Sequence, residues 1–322
     1  MLQKIVEEEQ PTKMLVAFDA GKTTFRHESF EEYKGGRQRT PPELSEQFPY
    51  SRRLIDAYNI KRYELPMYEA DDIIGTLAKQ ATTEGMEVVI VSGDKDLTQL
   101  ADEHVTVYVT RKGITDIEKY TPAHIEEKYG LTPHQIIDMK GLMGDASDNI
   151  PGVPGVGEKT AIKLLKEYGS VEALYEAIDG MKASKMKEKL VANEEQAHLS
   201  KRLATIYTEA PVEIALNDIV YVGPNEEEVL TVWRELGFKS LIDKSNFADT
   251  VTEQKAIAVD IVTDVKQDML ADQMAIHVEL ENDHYHDCQA FGIALTDGAR
   301  TLYVPIDVAF TNEVLKNWLQ DE

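Results

Sequence analysis

Short acidic clusters recur along the first half of the 322-residue chain: Asp19; then Glu69, Asp71 and Asp72; then Asp94 and Asp96; then Asp145 and Asp148. Carboxylates scattered in sequence but gathered by a fold make an all-oxygen cage, the ligand set that Mg2+ and Mn2+ prefer. Two such ions about 3.5–4 Å apart can activate a water and stabilise a leaving 3′ oxygen. Directly after the last pair comes Gly152-Val153-Pro154-Gly155-Val156-Gly157-Glu158-Lys159-Thr160. A glycine hairpin that exposes backbone N–H groups at a helix N-terminus can receive a phosphate without reading sequence. Carboxylate cage and phosphate cradle together point to metal-dependent phosphodiester chemistry.

Each signal has a plainer reading. Glu69-Ala70-Asp71-Asp72 opens a helix, where acids complement the dipole. That accounts for one or two acids; three in four positions repel one another and call for a cation or a basic partner. Ser92-Gly93-Asp94-Lys95-Asp96 alone would be a Gly-Asp turn, and Gly144 to Asn149 a capped helix end. Yet Asp145 and Asp148 are three apart, which on a helix puts both carboxylates on one face. A plain helix-turn-helix connection needs one glycine, whereas Gly152, Gly155 and Gly157 are three. With the charge of Lys159 and the hydroxyl of Thr160, the segment matches a helix-hairpin-helix DNA-binding element.

Between positions 22 and 39 lie Lys22, Phe25, Arg26, Tyr33, Lys34, Arg37 and Arg39, with Arg26, Phe30 and Arg37 close to one helical face. Glu28, Glu31 and Glu32 fit an ordinary solvated helix. The sharper reading is an arch, flexible at Gly35-Gly36, that grips single-stranded nucleic acid by phosphate pairing and base stacking. His284 and His286 flank Tyr285 in an acidic stretch and read as an exposed turn, not a metal site.

These residues need elements to position them. The apolar run Lys13 to Phe18 predicts a buried strand that delivers Asp19, and Val88 to Gly93 does the same for Asp94. Ile73, Ile74, Leu77 and Ala81 repeat at helical spacing and predict a helix over 70–83. Strands alternating with helices argue for a parallel α/β sheet with its site beyond the carboxyl ends of the strands. Thr121-Pro122 and Thr132-Pro133 read as N-caps followed by proline, so the chain turns helical there. The helical pattern runs from Lys159 through Tyr168 towards Phe238. Apolar periodicity then lapses, predicting a linker over 246–256, and strands are expected over 274–280, 289–295 and 301–306. The expected organisation is an α/β core over about 1–120, a helical region over about 121–245, and a partial α/β domain over 257–322.

Composition bounds the rest. With 42% hydrophobic residues the chain can bury a core. There is no run of eighteen apolar residues and no basic-then-apolar leader at the start, so the expectation is a cytoplasmic protein with no membrane partner. A single cysteine, Cys288, excludes an internal disulfide and a Cys-type zinc site. The net charge of −24 is uneven: residues 247–322 hold 15 acidic against 4 basic side chains, and the other 246 hold 43 against 30. Eight of those 43 are the candidate ligands, which two divalent ions would half neutralise. Nucleic acid is not excluded as a partner, and local basic patches are expected.

The series Phe18-Asp19, Glu69-Ala70-Asp71-Asp72, Ser92-Gly93-Asp94-Lys95-Asp96 and Gly144-Asp145-Ala146-Ser147-Asp148-Asn149-Ile150-Pro151 into the glycine hairpin resembles, in order, the 5′ nuclease domain of bacterial DNA polymerase I. The resemblance covers roughly residues 1–245. It implies a PIN-like α/β core and a two-metal 5′→3′ exonuclease and flap endonuclease that removes RNA primers and displaced 5′ strands in replication and repair. By that resemblance Asp19, Glu69, Asp71, Asp72, Asp94, Asp96, Asp145 and Asp148 hold two Mg2+ or Mn2+ ions. Asp71, Asp72, Asp94, Lys34 and Arg37 form the catalytic set. Arg26, Tyr33, Lys34 and Arg37, with Gly152, Gly155, Gly157, Lys159 and Thr160, contact DNA bearing 5′ flaps, nicks or RNA primers. The resemblance also allows K+ at the hairpin and a monomer.

The tail is similar to the start of that polymerase's RNase H-like 3′→5′ exonuclease domain. Ile276-His277-Val278-Glu279 has histidine where the motif has aspartate, so proofreading is not expected. Before Asp19 the chain lacks the family's first strand with its metal-binding aspartate, and Met1 to Lys13 reads as the end of a helix. A second expectation follows: a truncated, catalytically impaired fragment that binds branched or nicked DNA without cleaving it.

Overall fold

The computed structural model describes all residues except 1, 38–39, 112–115, 246, 248–257, 272, 282–288 and 321–322. Arg39, the expected linker apart from Phe247, and His284, Tyr285, His286 and Cys288 lie outside the described residues. The chain divides into two compact units, Met1–Asp243 and Lys244–Glu322.

The first unit opens with α1 (Leu2–Glu9), β1 (Leu15–Phe18), α2 (Phe25–Ser29), α3 (Pro42–Ser45), α4 (Phe48–Ala57) and β2 (Lys61–Glu64). Next come α5 (Ala70–Thr83), β3 (Val88–Ser92), β4 (Val105–Thr110) and β5 (Ile117–Tyr120). The helices α6 (Pro122–Tyr129), α7 (Gln135–Met143), α8 (Glu158–Tyr168) and α9 (Val171–Glu176) follow. After them lie α10 (Lys185–Ala192), α11 (Glu194–Ala204), α12 (Glu226–Glu235) and α13 (Lys239–Lys244).

The helix expected over 70–83 forms with those bounds, because its apolar stripe finds a core on either side. Ile73, fully buried, packs with Leu77 and Ala81 against Leu15 and Ala17 of β1 and Val88 of β3. Burying such a side chain contributes roughly 1.5–3 kcal/mol. The strands pair in parallel as expected, β1 with β2 and β3 with β4, while β5 is antiparallel to β4. They belong to two sheets, however, β1-β2 and β3-β4-β5, where the sequence suggested one. Packing on α5, not a shared strand, joins the two. β1 is accordingly half-buried along its length and not the fully buried strand expected.

Thr121 caps α6 as expected, its hydroxyl accepting from the His124 N–H at 3.2 Å. Thr132 does not open α7 directly. It exchanges hydrogen bonds with Gln135 across a turn, Thr132 N–H to Gln135 Oε1 at 2.9 Å, and α7 proper starts at Gln135. No helix among the described residues is long and apolar enough to cross a membrane.

The second unit holds a four-stranded sheet of order β6-β9-β8-β7, from β6 (Val259–Ile261), β7 (Ala275–Leu280), β8 (Ala290–Thr296) and β9 (Thr301–Pro305). The helices α14 (Ile306–Thr311) and α15 (Glu313–Gln320) complete a core around Leu295, Leu302, Val304 and Leu315. His277 and Glu279 lie exposed on the edge strand β7.

Candidate active site

The sequence elements bring most of the acidic clusters to the N-terminal end of α5, in two groups. The first surrounds Glu69 and Asp71. Asp19, just past β1, accepts from the Ala70 N–H at 2.8 Å and so ties β1 to the start of α5. Asp94, just past β3, accepts from the Asp96 N–H at 2.9 Å in a tight Asp turn. Asp71 lies among these charges. Burial first, then the carboxylates of Asp94, Glu69 and Asp19, push its pKa up to about 7 against the pull of Lys34. Such a crowd of incompletely compensated oxygens is the donor chemistry of a hard divalent cation.

Cations of the chain answer the remaining carboxylates. Lys34 Nζ lies 2.7 Å from Glu69 and 3.8 Å from Asp148, and Arg37 lies 2.5 Å from Asp148. The second group centres on Lys140 of α7, whose ammonium bridges Asp96 and Asp145. Burial, with Asp94 and Asp145 nearby, holds the Asp96 pKa at about 6 even so. Sequence reasoning missed Lys140, whose one signal was a position five residues before Asp145. Among the described residues no three carboxylates stand close enough together to form a ready ligand set. The donors fit a divalent ion by type, and Lys34 and Lys140 act as their counter-ions.

Several expected roles are corrected. Asp145 and Asp148 share no helical face: Gly144 ends α7 with φ +73° and residues 146–149 form a turn closed by the Asp145–Ile150 pair. Asp145 therefore meets Lys140 while Asp148 meets Arg37. Asp72 is fully buried and is not open to a metal: Arg26 grips both its oxygens at 2.7 and 2.8 Å, and the N–H groups of Glu69 and Tyr207 donate to it. Arg26 is buried with it, also donating to the Leu203 and Thr205 carbonyls, and cannot face DNA. Tyr33 is buried too, beside Ile150 and Leu203, with its hydroxyl 3.2 Å from Glu69 and 3.3 Å from Asp148. The 25–37 segment is no continuous helical arch. α2 lasts five residues, and the turns after it point Tyr33, Lys34 and Arg37 at the acids.

In the hairpin, Gly155 and Gly157 are exposed, with Lys159 beside them at the first turn of α8. Gly155 needs its left-handed φ of +84°, and a side chain there would collide with the Lys189 ammonium from α10. Gly152 differs. It is buried, its N–H donates to Ser200 Oγ at 2.9 Å, and a Cβ would overlap the Met143–Gly144 backbone. It serves close packing and offers nothing to a phosphate.

A split parallel core that gathers carboxylates at the start of one helix, followed by a helical glycine hairpin, defines a metal-dependent nuclease. The chain belongs to the 5′-3′ exonuclease family: residues 1–130 match its N-terminal resolvase-like domain and residues 131–227 its C-terminal SAM fold. Residues 276–322 match the ribonuclease H-like domain of DNA polymerase I. The chain is 56% identical over 326 residues to DNA polymerase I of Bacillus subtilis (strain 168), covering all of this chain and 37% of that protein. Against DNA polymerase I of Streptococcus pneumoniae (strain ATCC BAA-255 / R6) it is 52% identical over 298 residues, covering 92% of this chain and 34% of that protein. The chain thus spans little more than a third of the length of these relatives. Among solved structures it resembles bacteriophage T5 5′-exonuclease with bound zinc, with TM-score 0.55, 25% identity, and coverage of 74% of this chain and 88% of that one. It also resembles a T5 flap endonuclease variant in complex with DNA and metal ions, with TM-score 0.55, 25% identity, and coverage of 77% and 88%.

Proposed function

We propose that this chain hydrolyses phosphodiester bonds near the 5′ ends of flaps, nicks and RNA primers, as the nuclease portion of a DNA polymerase I, using two Mg2+ or Mn2+ ions. The observation that carries the reading is the gathering of Asp94, Glu69 and Asp19 around Asp71 at the start of α5, where burial first and then these carboxylates push the Asp71 pKa up to about 7. Asp19, Glu69, Asp71 and Asp94 would hold one ion, and Asp96 and Asp145 would hold the second on displacing Lys140. Bound there, the ions would supply an activated water and charge neutralisation at the leaving oxygen.

The chain's own groups do the rest. Arg37, half-exposed and paired with Asp148 through one guanidinium nitrogen, can swing to a non-bridging phosphate oxygen. Lys34, 2.7 Å from Glu69, orients that carboxylate. Gly155, Gly157 and Lys159 hold the duplex backbone at a distance from the cut, with K+ as an added cation at the hairpin, and one monomer suffices.

A second reading, binding of branched or nicked DNA without cleavage, is favoured by the ammonium groups that already neutralise the carboxylates. One experiment separates them: cleavage and binding of a 5′-labelled flap in Mg2+, in Mn2+ and in chelator. Cleavage that needs the ion supports the nuclease. Binding with no cleavage in either ion supports the second reading, and cleavage persisting in chelator overturns the metal mechanism.

A further inference from the structure

At the start of α5, beside the carboxylates, three rings form a cluster that the chemistry above does not use. Phe25 and Tyr68 have ring centroids 5.6 Å apart, Phe25 and Tyr207 6.0 Å, and Tyr68 and Tyr207 6.0 Å with planes only 22° apart. The Arg26 guanidinium covers Phe25 at 4.6 Å. Tyr207 is 41% exposed, so its side of the cluster is open to solvent.

Next to it the backbone is in an unusual state. Leu65-Pro66-Met67-Tyr68 is a turn closed by the Tyr68 N–H donating to the Leu65 carbonyl at 3.2 Å. Met67 takes its third position with φ +72°. That is the place where type II turns take glycine or asparagine, and a bulky side chain there is strained. The strain is not repaid by burial, because Met67 is 41% exposed. It is instead locked in place: the Phe25 N–H donates to the Met67 carbonyl at 3.0 Å, and Thr24 bridges to Met67. Strained residues held by their surroundings and left exposed mark functional surfaces.

We infer that Met67 and the Tyr68–Tyr207 stack form a wedge that takes one unstacked base of the bound DNA strand, next to the scissile phosphate. Two observations favour a nucleobase over a protein partner. The rings, through Tyr68, adjoin Glu69 directly in sequence. Exposed Lys22, three residues before Phe25, puts a positive charge on the same segment for the strand's phosphate. Aromatic faces accept any base, as sequence-independent cutting requires. The inference rests on the DNA-nuclease reading above.

The test uses the full chain and a 5′-flap DNA carrying 2-aminopurine at successive positions around the junction, in Ca2+. Binding is read by anisotropy and stacking by 2-aminopurine emission. The wild type should bind and change the emission at one position. Tyr207→Leu keeps the backbone N–H that serves Asp72 and should weaken binding about tenfold and abolish that change, while Tyr207→Phe should retain both. Met67→Gly relieves the strain, so it should be at least as heat-stable as the wild type yet lose affinity, which a purely structural Met67 would not do. Wild-type binding with Tyr207→Leu and Met67→Gly unaltered in affinity and emission would overturn the wedge and leave the nuclease reading standing. Failure of the wild type to bind any of these DNAs would overturn both.

Discussion

Arg26 and Asp72 are the strongest single test of how this site is held. Arg26→Met keeps most of the apolar stem but removes a guanidinium that donates to both Asp72 oxygens and to the Leu203 and Thr205 carbonyls. Asp72 would be left charged, fully buried and supported only by the Glu69 and Tyr207 N–H groups. Breaking a buried pair from one side costs about 3–5 kcal/mol, mostly the penalty of the charge left behind. For a unit of this size that lowers Tm by roughly 6–20 °C. The companion change Asp72→Asn keeps an acceptor for one of the two backbone N–H groups, which donate to different oxygens, and removes the orphaned charge. It should destabilise the wild type yet restore part of the loss in the Arg26→Met background, a reversal of sign. Urea unfolding of the four proteins measures it. A loss below about 1 kcal/mol for Arg26→Met, or no recovery in the double variant, would refute the claim that this pair anchors the start of α5.

Without metal, Asp71 makes the fold prefer acid: its folded pKa is raised from 3.8 to about 7, so the native state binds the proton more tightly and this stabilisation is lost as pH rises through that window. At about 1.4 kcal/mol per unit the upper bound is about 4 kcal/mol, and unfolding in chelator from pH 4 to 8 should show Asp71→Asn with a flatter profile; identical slopes would contradict it. Glu118 behaves oppositely: burial would raise its pKa, but hydrogen bonds from Lys128, His124, Tyr120 and Arg111 outweigh this and hold it well below the usual carboxylate range. Its stabilisation is present above about pH 4.5 and lost in acid, so Glu118→Gln should shrink the acid limb of the unfolding curve. Gly155→Val, strained at φ +84° and pressed on Lys189, should weaken DNA binding ten- to a hundredfold for loss of one charged hydrogen bond. The loss should be equal for two unrelated flap sequences in an anisotropy titration, and a sequence-dependent loss would speak against a phosphate contact.

Much of the scaffold is legible in the sequence because it depends on local period and caps. The stripe Ile73, Ile74, Leu77 and Ala81 sets α5, and the apolar runs before Asp19 and Asp94 set β1 and β3. What stayed hidden depends on partners far away in the chain. Arg26 looks like a surface cation until Leu203 and Thr205, nearly 180 residues on, supply carbonyls for it. Tyr33 likewise reads as a stacking residue until Ile150, Leu203 and Ala204 cover it. Helical spacing misled at Asp145 and Asp148 because Gly144 ends the helix first. Gly152 and Gly155 are the same residue type three apart, yet one fills a packing gap and the other turns outward, a difference no local rule carries.

The division of the core into two sheets would give the proposed ion a mechanical meaning. Asp19 hangs from one sheet, Asp94 from the other, and Asp71 from the helix between them. An ion held by all three, as proposed, would be a rivet through separate plates, and part of its binding free energy would become cohesion of the fold. At a hundredfold excess over Kd that cohesion amounts to about 2.7 kcal/mol. Substrate-ready geometry and structural integrity would then rise and fall with the same ion, and a chain starved of it would loosen first where it cuts.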